Sequence, residues 1–240
     1  MCEDENGNNA GEYVVKFKGG TETGVSGMCC ELVASLLADE LGLARPAPAI
    51  VDIDPNIGNL LSSKDSDVSA IIKKSGGLNF GSRALSGGYG TWPVNKSIAS
   101  SLTQLAAEIF TFDALIQNPD RRTNNPNLLW KGSEIYIFDH ELAFSFLYQI
   151  GTAGRPWELS DSSGDFLNSH IFSKDLKGKK IDLSRLQGAL EGIDDMTLDD
   201  LFDQLPIEWK NDNLSRMKDY LKDVRNHSAE FIDKVKWRLV

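Results

Sequence analysis

The chain has 240 residues, of which 41% are apolar, 9% aromatic and 25% charged, enough for one or two packed domains and too apolar for a disordered chain. Its 35 acidic and 25 basic residues leave a net charge of −10, which argues against nucleic-acid or membrane-surface binding, since both need a basic face. No run reaches the roughly 18 consecutive apolar residues of a spanning helix, and the acidic, polar opening MCEDENGNNAG is unlike a signal peptide. Cys2, Cys29 and Cys30 have neither disulfide nor metal spacing, so a cytoplasmic protein without a structural metal is expected.

Residues 1–12 lack an apolar period and read as a flexible lead-in. From Tyr13 the pattern alternates, with Tyr13, Val15 and Phe17 on one face of a strand and Val14, Lys16 and Lys18 on the other. A Gly/Thr/Ser-rich connection to Gly27 leads into a helical stripe at Met28, Leu32, Val33, Leu36, Leu37 and Leu41. Gly42 suits the position after its last turn, and Pro46 bars continuation. Ala49 to Ile53 reads as a second strand ending in the turn Asp54-Pro55-Asn56. Residues 56–96 are irregular, and their run KKSGGLNFGSRALSGGYGTWP reads as a loop or hinge between lobes. Apolar residues from Ile98 to Ile116 recur at three- and four-residue steps, a long core helix with Asn95 or Ser97 as its cap and a stop near Asn118-Pro119. Asn127 to Trp130 and Glu134 to Phe138 flank Lys131-Gly132-Ser133 as a β-hairpin. From about residue 164 the chain reads as helical, at Leu183 to Ile193, Leu198 to Phe202 and from Leu214 onward.

The chemistry concentrates in DALIQNPDRRTNNPNLLW and the following KGSEIYIFDHELAF. A core helix delivers a loop carrying Asp120, Arg121, Arg122 and Asn125, and the hairpin's second strand ends at Asp139. Asn125 lies five residues after Asp120, and Asp139 nineteen after it. Phosphoryl transfer from ATP uses such a set: one carboxylate orients the incoming hydroxyl, while an amide oxygen and a second carboxylate hold Mg²⁺ against the phosphates. Protein kinases place their catalytic Asp five positions before a metal-binding Asn, with a second metal-binding Asp beyond a short hairpin. A lysine on a nucleotide-facing strand should then pair with a Glu on the next helix. Lys16 and Glu31 are the candidates, with Lys18 on the same face as a reserve.

With these residues in view, NPDRRTNNPN and IFDHELAF resemble the HipA-like kinase group of the protein-kinase-like fold. YVVKFKG and ELVASLLADELGLARPAPAIVDI are similar to its small lobe, and HIFSKDLKG and LPIEWK to its helical C-terminal part. The resemblance runs from about residue 12 to the end and implies a two-lobed α+β fold. In it residues 13–90 form a small, β-containing N-lobe, and residues 91–240 a mainly helical C-lobe carrying the catalytic loop and metal-binding hairpin. It also implies an ATP- and Mg²⁺-dependent kinase acting on protein Ser or Thr, and in some members a toxin held by an antitoxin partner. By position Asp120 matches the catalytic Asp, Asn125 and Asp139 the metal ligands, and Lys16 the phosphate-contacting lysine. The DRxxxN form of the loop also resembles phosphoinositide kinases, so a lipid or small-molecule hydroxyl is an alternative acceptor. A catalytically dead pseudokinase acting as a binding module is another. No glycine-rich loop precedes the lysine strand, so phosphate cover is expected from Gly19–Gly27 or Gly76–Gly90. Arg121 is expected to brace the loop by pairing with a carboxylate, and His140 to be structural. Ser82 and Ser86 read as ordinary loop serines.

Overall fold

The structure, a computed structural model, describes residues 2–57, 66–149, 154–159 and 165–240. The first dozen residues are not without regular structure. Cys2–Glu3 (β1) and Asn9–Gly11 (β2) pair antiparallel, and Asp4 Oδ1 closes their turn by accepting from the N–H groups of Asn6 and Asn8 at 2.9 and 2.8 Å. Two such short strands are held by turn chemistry rather than an apolar face, so periodicity does not report them.

Tyr13–Lys16 (β3) is followed by one 3-10 turn at Lys18–Gly20 and by the helix Val25–Glu40 (α1). Pro48–Ile53 (β4), Ser66–Lys74 (α2) and Gly77–Arg83 (β5) complete the N-terminal unit, a sheet of order β3-β5-β4 with both pairings antiparallel. The central strand is therefore a segment that the sequence reads as loop. Its unusual composition suits its position: a Cβ on Gly81 would lie 2.7 Å from Val51 Cγ2 on the neighbouring strand. Asn79 is buried and fully engaged, donating to the carbonyls of Ser75 and Gly77 and accepting from the Lys18 N–H. Helix α1 is buried on nearly every side, from Gly27 to Ala38 apart from Leu36, and stops at Gly42, which adopts φ +69° as its position requires.

Gly90–Thr91 (β6), Leu128–Lys131 (β7) and Glu134–Ile137 (β8) form a second three-stranded sheet in that order, with Gly132 at φ +60° in the β7–β8 turn. The core helix is Thr103–Leu115 (α3), buried without interruption from Ala106. Neither Asn95 nor Ser97 caps it; a 3-10 turn at Ser100–Leu102 leads in instead. Among the described residues five further helices follow: Ser173–Leu176 (α4), Ser184–Gly192 (α5), Asp195–Asp203 (α6), Asp212–Asn226 (α7) and Ser228–Arg238 (α8). The helix expected from Leu214 to the end is thus two, broken at His227, whose ring stacks on Trp157 at 3.5 Å. Tyr220 of α7 donates its hydroxyl to the Leu115 carbonyl at 2.8 Å, fixing the end of α3. No helix among the described residues is long and apolar enough to cross a membrane.

Candidate active site

Three carboxylates from two segments converge on Lys16. Its Nζ lies 2.5 Å from Glu31 Oε1 on α1, 2.5 Å from Asp139 Oδ1 just beyond β8, and 3.4 Å from Glu141 Oε2. Burial works against the ammonium charge, but the carboxylates of Glu31 and Asp139 outweigh it and hold Lys16 above its ordinary range. Glu31 is only 2% exposed, and burial pushes its carboxyl up to about 7 against the pull of Lys16. Asp139 adopts φ +61°, a left-handed conformation that Asp and Asn tolerate better than other side chains.

Lys18 is not brought to this group. The strand ends at Lys16, the alternation breaks in the 3-10 turn, and the Lys18 ammonium donates to the Gly76 carbonyl. Glu141, which the sequence does not single out, does reach it. Its Oε1 accepts from the N–H groups of Glu22 at 2.6 Å and Thr23 at 3.4 Å, so one carboxylate ties Lys16 to the segment before α1. Gly27 leaves room for it, since a Cβ there would stand 2.7 Å from Glu141 Cγ. Of the two segments expected to cover phosphates, 19–27 is tied to Lys16 through Glu141, while 76–90 supplies the strand β5, whose Phe80 pairs with Lys16 across the sheet.

Asp120 sits in a tight loop in which Arg122 and Asn125 exchange backbone hydrogen bonds of 3.0 Å in both directions. Its Oδ2 accepts from Asn125 Nδ2 at 2.7 Å and Asn127 Nδ2 at 3.2 Å, and its Oδ1 from Arg122 Nη2 at 2.7 Å. With Nδ2 of Asn125 spent on Asp120, the amide oxygen is the end that side chain can offer a metal.

The loop is braced from inside by Arg121, which is 1% exposed. Its guanidinium donates to both carboxylate oxygens of Asp113 on α3, to the Asn127 carbonyl at 2.5 Å and to the Phe138 carbonyl at 3.3 Å. Burial alone would raise the Asp113 carboxyl, but Arg121 and His170 outweigh it and hold it well below the usual carboxylate range. Nη2 of Arg121 also meets His140 Nε2 at 3.1 Å, so that ring nitrogen is the acceptor. Burial and the adjacent Arg121 push the His140 imidazole down to about 3, so the ring is neutral. Its Nδ1 lies 3.8 Å from Glu31 Oε2. A continuous run of side chains from Asp113 through Arg121, His140 and Glu31 to Lys16 thus links the helical part to the N-terminal sheet.

A cavity of about 200 Å³ opens at this junction. Its lining combines the apolar Val14, Phe80 and Ile137 with the charged Lys16, Glu31 and Asp139. An apolar slot beside an ammonium suits a flat base joined to phosphates. Among the described residues no three His, Cys, Asp or Glu side chains form a metal cage. Mg²⁺ needs none, because one or two protein oxygens suffice when phosphates supply others, and the hard oxygen donors of Asp139 and Asn125 fit that role.

The chain matches the HipA-like kinase family over residues 1–239. No curated protein matches it. Among solved structures it resembles a Helicobacter pylori proinflammatory kinase, CtkA, at 16% identity and a TM-score of 0.50, over 95% of this chain and 90% of that one. That likeness concerns the fold: N-terminal sheets followed by a mostly helical part, the α+β kinase-like arrangement expected from the sequence. With a family match across nearly its whole length, this chain belongs to the HipA-like kinases, and membership implies phosphoryl transfer with ATP as donor.

Proposed function

We propose that the chain transfers the γ-phosphoryl group of Mg²⁺-ATP to a Ser or Thr hydroxyl of a protein, with residues up to about 90 as the N-lobe and the remainder as the C-lobe. The observation that carries this reading is Lys16 held between Glu31 and Asp139 at 2.5 Å each, beside an apolar slot. Lys16 contacts the phosphates and Glu31 fixes its position. Asp120, aligned by Asn125 and Asn127, orients the acceptor hydroxyl. Asp139 and the amide oxygen of Asn125 hold Mg²⁺, which when bound bridges and neutralises phosphate oxygens. In this reading the N–H groups of Glu22 and Thr23, which donate to the same Glu141 carboxylate that contacts Lys16, turn to phosphate. A separate antitoxin-like protein that restrains the activity is part of this reading, and co-purification from the native host tests it.

Calorimetric titration of ATP, with and without Mg²⁺, tests the core of the proposal on wild type and Asp139→Asn. Asn is the right replacement because it shares the tolerance of Asp for positive φ. Metal-dependent binding to wild type that is lost in the variant supports the site; no binding to a folded wild type overturns it.

A further inference from the structure

An acceptor must reach Asp120 from a side the nucleotide does not fill. A second cavity, of about 410 Å³, opens on the outer face of the Asp120 loop and is lined in part by Asn95, Arg122, Asn124, Asn168, Ser169 and Lys174. Its wall contains no carboxylate, in a chain where acidic residues outnumber basic ones by 35 to 25. Lys174 is exposed and makes no ion pair among the described residues. His170 forms part of the floor, but both its ring nitrogens are occupied, by Asp113 and by the Phe172 N–H. With Thr123 also in its lining, the cavity therefore offers two cations, three amides and two hydroxyls, and no carboxylate to pair with an incoming cation.

Arg122 connects this wall to the chemistry. It is the one described residue whose side chain donates to Asp120 Oδ1, at 2.7 Å, while Oδ2 is taken by Asn125 and Asn127. An anion seated in the cavity competes for that half-exposed guanidinium and uncovers Oδ1.

Resting on the kinase reading above, we propose that this cavity seats the acceptor, a peptide segment whose Ser or Thr is flanked by carboxylate side chains. The flanking carboxylates pair with Lys174 and Arg122, and the hydroxyl meets the freed Oδ1 of Asp120. The acceptor oxygen then forms its bond to the γ-phosphorus of ATP as the bond from that phosphorus to the bridging oxygen breaks. ADP leaves, and the hydroxyl proton passes to Asp120.

The test is a degenerate Ser/Thr peptide library with fixed acidic or basic flanks, offered with Mg²⁺-ATP to wild type and to Lys174→Glu. Lys174 is exposed, so the variant is expected to fold, and its circular dichroism checks this. Acidic flanks should raise kcat/KM about tenfold over basic ones, and Lys174→Glu should reduce that ratio to about threefold or less. A wild type with no charge preference, a preference for basic flanks, or a ratio unchanged in the variant overturns the proposal. So does transfer to phosphoinositide vesicles with none to any peptide, which would make the anionic acceptor a lipid. Failure of the wild type to bind Mg²⁺-ATP in calorimetry marks the different case in which the kinase reading itself is wrong, and this proposal goes with it.

Discussion

Arg121 and Asp113, both fully buried, are joined by two hydrogen bonds, Nε to Oδ2 at 2.5 Å and Nη2 to Oδ1 at 3.2 Å. Removing one member of such a pair leaves the other as an uncompensated charge in the core, which costs about 3–5 kcal/mol. Arg121→Ala should lower unfolding stability by about that much. Arg121→Lys keeps the charge but cannot reach Asp113, Asn127, Phe138 and His140 together, so it should also destabilise, by less. Urea unfolding midpoints of the three proteins decide the order.

Lys16 should behave differently. Without its ammonium, Glu31 remains buried, but its carboxyl already lies at about 7 and can take up a proton instead of forcing the chain open. Lys16→Met should therefore fold, with a near-native circular dichroism spectrum, while phosphoryl transfer falls by roughly 10²–10³, the usual loss for removing one group that stabilises developing charge. Loss of folding in this variant would show that the lysine is chiefly structural.

Glu141 separates a geometric role from an electrostatic one. Glu141→Gln keeps an oxygen for the Glu22 and Thr23 N–H groups, whereas Glu141→Ala loses both that anchor and the contact with Lys16. KM for ATP should rise about fivefold to tenfold in the Ala variant, equivalent to about 1 kcal/mol, and much less in the Gln variant. Steady-state kinetics at saturating acceptor measures both.

His170 makes the fold acid-sensitive. Nε2 bonds Asp113 and Nδ1 accepts from the Phe172 N–H, so a second ring proton would point at another donor. Burial holds the imidazole below its ordinary value of 6.5 despite the pull of Asp113. The unfolded chain takes up this proton as pH falls through about 6.5 and the native chain does not, so the stability His170 contributes is present above that pH and lost below it. Glu31 has the opposite sign, since its raised carboxyl favours the native state as pH falls from about 7 toward 4.5. The readout is accordingly a difference: His170→Gln should be less stable than wild type at pH 7.5, and the gap should narrow by pH 5. A gap that stays constant would mean that His170 contributes only packing.

Most of what the sequence shows well rests on strong local periodicity. Helix α1, its glycine stop, the β7–β8 hairpin and the core helix α3 follow from apolar spacing and turn residues. The Lys16–Glu31 pairing follows from looking for a strand cation and a helix anion. What escapes is local structure whose reason lies elsewhere in the fold. β5 looks like loop because Gly81 is small for the sake of Val51, and Asn79 is buried for the sake of Lys18 and Ser75. Lys18 shares a strand face with Lys16 on paper, but a 3-10 turn rotates it away. Asp113 carried a faint signal, as a charge inside an otherwise apolar helix, whereas Glu141 carried none.

The crowd of carboxylates around Lys16 also bears on how fast a nucleotide can arrive. One ammonium faces Glu31, Asp139 and Glu141, in a chain of net charge −10, so both the near and far fields repel a polyphosphate until the metal it carries is within reach. Capture is then an encounter between like charges, slow compared with binding to a basic cleft. Added salt, which screens such repulsion over about 10 Å at 0.1 M, should quicken it where it would slow the usual steered association.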